Sequence, residues 1–367
     1  MTEHGVVRWL SDADLQSAVG ALDAYVVQHP QGSPYHLSAW RNAVAEGYGH
    51  DQGCLVAYGQ GGQISGLLPM CYVRRPLVRP QWVSLPFADL GGPLADDKAT
   101  EQALIRAAQR ELAASSAEHL ELRCRTAAST EYNEQNPDTA YLTGRKVRML
   151  CTLPESSASL LASYKPKLRS QIKKAEKNGL KAEIRTDAAA VAEFYRVYAA
   201  NMRRLGSPAH SKRWFEAIQR QYQKGQSYFI VLVRFGDRVV GAGWVLRCAE
   251  RAVIPWASTL ADFNHLAPNM LLYWTIQAHL ADSGGREFDF GRSTYGEGTY
   301  RFKQQWGAVP NLLDWQTYTA DALLPVPALK QGGLGQRLRP FIERVWQRLP
   351  QPVANRLGGH LRRYITL

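Results

Sequence analysis

The sequence predicts an α/β (α+β) fold built from two tandem copies of one domain, and two observations carry that expectation. The stretch CLVAYGQGGQISGLLPM (54–70) sets a glycine-marked turn between two apolar runs, as a β-hairpin does, and YFIVLVRFGDRVVGAGWVL (228–246) repeats the plan. Gly61, Ile64 and Gly66 return 175 residues later as Gly236, Val239 and Gly241. The segments C-terminal to each hairpin repeat as well. After the first come a strand (81–85), the loop FADLGGP (87–93), a helix (99–114) and the short strand HLELR (119–123). After the second come the strand AVIPWAS (252–258), a loop (262–269), a helix (270–282) and the strand EFDFG (287–291). One order occurring twice implies a duplicated domain, each copy with a central sheet and flanking helices.

Length agrees, since 367 residues at 45% hydrophobic and 21% charged supply cores for roughly two domains. The divisions expected are 1–155 for the first domain, 156–186 for a basic interdomain helix and strand, 187–322 for the second domain and 323–367 for a basic tail. In the interdomain segment, Gly179 suits a helix end and 181–185 alternates as a strand does; a further helix is expected over 188–202.

The formal net charge of +12, from 44 Lys+Arg against 32 Asp+Glu, favours acidic partners. No apolar run approaches the roughly 18 residues of a membrane span, and the first fifteen residues lack a signal-peptide core, so a cytoplasmic protein is expected. Cys54, Cys71, Cys124, Cys151 and Cys248 are odd in number and widely spaced, which indicates neither a disulfide framework nor a zinc site. No histidine pattern such as HExxH is present, and no metal is expected.

The densest chemistry lies in FDFGRSTYGEGTYRFKQQWGAVP (288–310), where Arg292, Arg301 and Lys303 mix with Tyr295, Tyr300 and four glycines just after an apolar strand. Glycines admit a ligand close to the backbone, and cations at a strand end can hold phosphate or an oxyanion; a glycine-rich turn with solvated cations would look the same. Asp289 alternates with Phe288 and Phe290, so it faces away from them, to orient Arg292 or to meet solvent.

The repeated order of elements resembles the GNAT acyltransferase fold, and two such domains in tandem resemble the Fem peptidyltransferases. FDFGRS, GTYRFKQQWGA, APNMLLYW and RRLGSP, with weaker agreement at SPYHLSAW and ADLGGP, make the sequence similar to FemAB-like proteins of the PEP-CTERM/exosortase-associated subfamily. The resemblance implies that Lys303, at the position of the family's FK lysine, stabilises the oxyanion formed when an amine attacks an activated acyl group. It implies Arg292 and Tyr295 as anion clamp and hydroxyl donor, with Arg301 a weaker candidate. An acyl-CoA enzyme of the GNAT type places glycines in the loop before its central helix; here the stretch reads Asn264-x-x-Ala267-x-Asn269, with neither glycine, and Asn269 is expected as the helix cap. Trp256, Asn264 and Asn269 would line the donor groove. The co-substrate implied is aminoacyl-tRNA or acyl-CoA, with no tightly bound cofactor. The long helical hairpin common in tRNA-dependent Fem enzymes is not visible, because 211–225 is too short for one.

The basic stretch 164–185 holds eight Lys/Arg against two Glu, and the resemblance assigns Lys167, Arg169 and Lys173 to the phosphates of a glycan-precursor acceptor; Arg203 and Arg204, where the next helix ends, would complete that anion site, and a solvated helix face is the alternative. Asp89 of ADLGGP lies where the family binds acceptor sugar. The tail, 330–367, holds eight Lys/Arg against Glu343 alone, interleaved with apolar residues as in basic amphipathic helices, which either lie on the inner face of an anionic membrane or pack on their own domain. The function implied is acyl or aminoacyl transfer to an amine on a cell-envelope or exopolysaccharide precursor. The alternatives are acyl-CoA-dependent acylation of a nucleotide sugar or small amine, and a non-catalytic scaffold for membrane or polyanions.

Overall fold

The computed structural model describes residues 6–125, 142–322, 324–326 and 334–366. The chain forms two compact units, one of residues 1–129, 313–331 and 364–367 and the other of 130–312 and 332–363. These divide the chain differently from the expected boundaries. Residues 156–186 lie wholly in unit 2 rather than forming a connector, 313–322 belong to unit 1, and most of the tail belongs to unit 2.

Unit 1 contains β1 (Val7–Leu10), α1 (Asp12–Ser17), α2 (Val19–Gln28), α3 (Ser38–Tyr48), the hairpin β2 (Asp51–Tyr58) and β3 (Ile64–Val73), then β4 (Gln81–Val83), β5 (Leu94–Ala95), α4 (Lys98–Ala114) and β6 (Leu120–Arg125). Its sheet runs β1-β2-β3-β4-β6 and closes on the second part of β13 (Val309–Tyr318). The β4–β6 pair is parallel. Asp97 caps α4 by accepting from the amide of Thr100, and Leu104, Ala107, Ala108 and Leu112, one helical face, are buried against the sheet.

Unit 2 contains β7 (Lys146–Thr152), α5 (Ser157–Ser163), α6 (Pro166–Lys177), β8 (Leu180–Arg185), α7 (Ala188–Arg204), α8 (Lys212–Gln223), the hairpin β9 (Tyr228–Phe235) and β10 (Arg238–Cys248), then β11 (Arg251–Thr259), α9 (Pro268–Asp282), β12 (Glu287–Thr294), α10 (Gly298–Gln304), the first part of β13, α11 (Leu334–Arg348) and α12 (Gln351–Arg362). The sheet order is β13-β7-β12-β11-β10-β9-β8, with β11–β12 parallel. The predicted basic helix is broken in two, because Pro166 disfavours a helical residue before it and begins α6 itself. Gly179, at φ +82°, ends α6 as expected.

The repeated glycine is crowded in both units, by different neighbours. A Cβ on Gly66 would lie 2.9 Å from Thr100 and 3.0 Å from Leu104 of α4, whereas one on Gly241 would lie 3.3 Å from Thr259 and Val233 of the flanking strands.

Candidate functional site

In unit 2, β11 and β12 run parallel but pair only from Arg251–Glu287 to Val253–Asp289, and beyond that the two strands part. The parting originates in β12. Its Gly291 takes φ +76°, and its register against β7 slips between Asp289 and Arg292. Buried Asp289 anchors the bend, accepting from Arg148 Nε at 2.8 Å and from the amide of Gly291 at 2.8 Å. Asp289 therefore neither orients Arg292 nor meets solvent; β7 supplies its cation.

A cleft of about 340 Å³ lies where the strands part, walled by Ala257, Ser258 and Thr259 of β11, Asn264 and Asn269 before and within α9, and Thr299, Phe302 and Lys303 of α10. From α7, Asn201 and Arg204 complete it. Lys303, 8% exposed, is fixed by donating from Nζ to the carbonyls of Gly291 at 3.0 Å and Arg292 at 2.9 Å. Arg204 donates to Asn201 Oδ1 at 2.9 Å, and Asn201 donates to Ser258 Oγ at 3.3 Å, so this wall is a connected polar chain. Burial pushes the Tyr273 hydroxyl up, so at neutral pH it stays protonated and can donate a hydrogen bond. The described lining holds two fixed cations and several amide and hydroxyl groups, but no carboxylate or imidazole. Such a wall can stabilise developing negative charge, and a proton must leave through substrate or water. Cysteine chemistry has no support, since burial pushes the thiols of Cys54 and Cys151 up to about 11 and those of Cys71 and Cys124 up to about 12.

The start of α9 departs from expectation. Asn269 does not cap it; Ala267 precedes the helix at φ +63°, ψ +46°, and Pro268 takes the first helical position. Ala267 thus holds the left-handed conformation that glycine adopts without strain. Pro268 fits the helix start but brings no N–H.

Residues 162–304 match the family described as "Acetyltransferase (GNAT) domain". The matched residues lie within unit 2, a GNAT-type domain. That domain marks the chain as an acyl-transferring enzyme. Among solved structures, one of FemX superposes with a TM-score of 0.64 at 14% identity, over 92% of this chain and 100% of that one. A tandem GNAT protein from the clavulanic acid biosynthesis pathway gives 0.52 at 12%, over 86% and 99%. The C-terminal domain of a putative lysylphosphatidylglycerol synthetase from Agrobacterium fabrum gives 0.51 at 15%, over 81% and 91%. These likenesses establish the tandem GNAT-type fold. No match is found among curated proteins.

The cleft of the GNAT domain gathers Lys303, Asn264, Asn269 and Arg204 of the predicted residues. Arg292 reaches it only through its main-chain carbonyl on Lys303, while the Tyr295 ring packs 4.6 Å from that of Tyr300. Arg301 is exposed on the outer face of α10. Trp256 is not among the groove's walls: it packs in an aromatic cluster with Phe215 and Trp214, while the next residues, Ala257 to Thr259, line the cleft. Arg203 instead donates to the carbonyl of Leu349 at 2.9 Å, and its neighbour Arg204 faces the cleft. Sequence reading passed over Asn201, Ser258 and Thr299, whose small polar side chains carry no motif.

A second cleft of about 420 Å³ in the same unit is lined by Lys165 and Lys167 of the basic segment, with Tyr164, Gln171, Gln304 and Trp306. Gln171 Oε1 and Trp306 Nε1 are buried there without hydrogen-bond partners. Helix α10 and the turn after it serve both clefts, Lys303 on one and Gln304 on the other. Arg169 and Lys173 are exposed and line neither, as a solvated helix face would place them.

In unit 1 a side chain fills the gap between the equivalent strands. Buried Arg123 of β6 donates to the carbonyls of Leu85 at 3.1 Å and Ala88 at 2.6 Å and to Glu121 Oε1 at 2.8 Å. Gly91 and Gly92 of the ADLGGP loop both donate to the Arg123 carbonyl. Beyond that filled gap a cleft of about 400 Å³ opens at the end of β6, lined by Cys124 and Arg125, by Leu90 to Ala95 except Gly91, and by Lys98 and Glu101 of α4; Asp89 is not among its walls, and the Asp89 carbonyl accepts from Trp315 Nε1 at 3.1 Å. Among the described residues no His/Cys/Asp/Glu group could hold a metal ion.

Proposed function

We propose that the unit 2 cleft transfers an acyl or aminoacyl group from an activated ester to an amine on a cell-envelope or exopolysaccharide precursor. The observation that carries this reading is the ammonium of Lys303, fixed at the wall of the cleft between the parted parallel strands. The amine nitrogen attacks the carbonyl carbon, and the carbonyl oxygen becomes an oxyanion beside Lys303. Collapse breaks the bond to the leaving oxygen or sulfur, which takes a proton that the amine releases through water or substrate. Lys303 lowers the barrier by holding a positive charge in place before the charge develops. Arg204 and the Asn201–Ser258 pair orient the donor, and Lys165 and Lys167 at the second cleft hold acceptor phosphate.

An aminoacyl ester fits better than an acyl-CoA thioester. The loop before α9 lacks the glycines of a pyrophosphate cradle, and Pro268 supplies no N–H where such a cradle would use one. Resemblance to the Fem peptidyltransferases supports aminoacyl-tRNA as donor, and the name of the lysylphosphatidylglycerol synthetase relative points to aminoacyl chemistry too. The motifs shared with the PEP-CTERM/exosortase-associated subfamily support an exopolysaccharide or envelope acceptor.

Calorimetry with aminoacyl-tRNA and with acetyl-CoA tests the donor, and Lys303→Ala tests the centre. Saturable binding of aminoacyl-tRNA, with turnover in the variant reduced by about 10²–10³, is expected. Because Lys303 also ties two buried carbonyls, the variant should lose about 2 kcal/mol of stability, so turnover is read at a temperature where it remains folded. Unchanged turnover would remove Lys303 from the centre, and tight acetyl-CoA binding alone would replace the donor.

A further inference from the structure

The two C-terminal helices are packed on one side and bare on the other. Trp346 of α11 and Ala354 and Gly358 of α12 are buried, with Gly358 against the backbone of Ala209. Polar contacts fasten the same side: Gln347 donates to the carbonyl of Arg204, Gln351 to that of Ala199, and Arg362 to His210 Nε2. The tail thus packs on its own unit, one of its two expected fates.

That packing leaves a large apolar face outside. Phe341 is 64% exposed, Ile342 53%, Val345 46%, Val353 43%, Leu357 43% and Leu361 47%. The spacing is regular. Phe341 and Val345 form one column on α11, and Val353, Leu357 and Leu361 form one on α12, each stepping by four. Three residues after the first member of each column begins a second, basic column, Arg344 and Arg348 on α11 and Arg356 and His360 on α12, all exposed. Both helices therefore show the same cross-section: a packed side, an apolar strip, and basic side chains, Arg344, Arg348 and Arg356 among them, along the same edge of that strip. The acid of these helices, Glu343, lies on the packed side, its Cα and carbonyl against Gly206.

We propose that this face docks on an anionic lipid surface. Apolar side chains in a strip bordered by arginine and opposed by no acid suit the boundary between acyl chains and negative headgroups. No helix among the described residues is long and apolar enough to cross a membrane, so the contact is peripheral. Docking would hold unit 2 where a lipid-linked acceptor resides, since α7, the helix beneath α11 and α12, supplies Asn201 and Arg204 to the cleft.

Co-sedimentation of the full chain with phosphatidylcholine vesicles, with and without phosphatidylglycerol, tests this without any reaction being run, so the outcome is independent of the proposed transfer. Binding to the anionic vesicles only, weakened by salt, is expected. The variant Phe341→Ser/Val345→Ser/Leu357→Ser should bind on the order of 100-fold more weakly. Arg344→Gln/Arg348→Gln/Arg356→Gln should lose about fivefold per arginine. Both should melt as the parent does, because the changed side chains are exposed. Failure to bind anionic vesicles, indifference to both variants, or a dimer that the serine variant dissolves in place of vesicle binding would overturn the proposal.

Discussion

Each unit sets an equivalent pair of parallel strands in its sheet, and the two use the gap beyond that pair in opposite ways. Leu120 and Glu121 pair in parallel with Trp82 and Val83, as Phe288 and Asp289 pair with Ala252 and Val253. By that register Arg123 of unit 1 stands where unit 2 has Gly291. In unit 1 the guanidinium fills the gap and satisfies the carbonyls of Leu85 and Ala88. In unit 2 the glycine removes that side chain, its positive φ bends the strand, and Lys303 reaches its carbonyl from α10. Each strand keeps an acid two residues earlier that holds an arginine: Glu121 holds Arg123 itself, and Asp289 holds Arg148 of β7. One architecture thus yields a gap filled by a guanidinium in unit 1 and a gap left open beside a lysine in unit 2, through the residue two places after a shared carboxylate.

Emptying the unit 1 gap should give the largest effect. Arg123→Ala leaves Glu121 without its cation and two buried carbonyls without donors, and should destabilise the protein by about 3 kcal/mol in urea unfolding. Transfer by the folded fraction should be unchanged, the reverse of the outcome expected for Lys303→Ala. A loss below about 1 kcal/mol would show that Arg123 does not close the gap between those strands.

The units differ again in what they set beside an arginine. Arg123 has a carboxylate, whereas Arg362 donates to the imidazole of His210, which must be neutral to accept. His210 is enclosed by Trp214, Phe215 and Trp256, and its amide donates to the Tyr198 hydroxyl. Burial first, and Arg362 second, hold its pKa well below the ordinary 6.5. Below about pH 6.5 the unfolded chain takes up a proton that the native state refuses, so this contribution is complete above that pH and falls as pH drops, by up to about 1.4 kcal/mol per unit. Urea unfolding of the parent and His210→Gln from pH 7 to 5 checks it; equal slopes would mean His210 is not the group responsible.

Much of this arrangement was legible in the residues. The hairpins and the strand–loop–helix–strand order appeared because apolar alternation and turn glycines are local signals, and Lys303 stood out in a glycine-rich motif. The same locality explains the misses. Arg203 and Arg204 are neighbours on α7, and only tertiary packing sends one to the Leu349 carbonyl and the other to the cleft. Trp256 is one position from Ala257, and only the packing of Trp214 and Phe215 from α8 against Trp256 shows which of them is in the aromatic cluster. Asp289 finds Arg148 through strand pairing across 141 residues, which no spacing rule reveals.

The smallest change bears on the loops before the two central helices. Unit 1 has glycines there, yet the amides of Gly91 and Gly92 are turned onto its own strand at Arg123, so they are not presented to a ligand. Unit 2 has no glycine, yet Ala267 keeps φ +63°, a conformation that costs an alanine about 1 kcal/mol. Ala267→Gly should therefore stabilise the protein, the relief of strain outweighing the added freedom of the unfolded chain by a few tenths of a kcal/mol. Donor binding sharpens the contrast. If the loop is an aminoacyl-ester wall, the glycine leaves affinity for both donors unchanged, because Pro268 still supplies no N–H. A marked rise in acetyl-CoA affinity with Ala267→Gly would instead mean that the loop is a pyrophosphate site short of one glycine, and would move the donor from aminoacyl-tRNA to a CoA thioester.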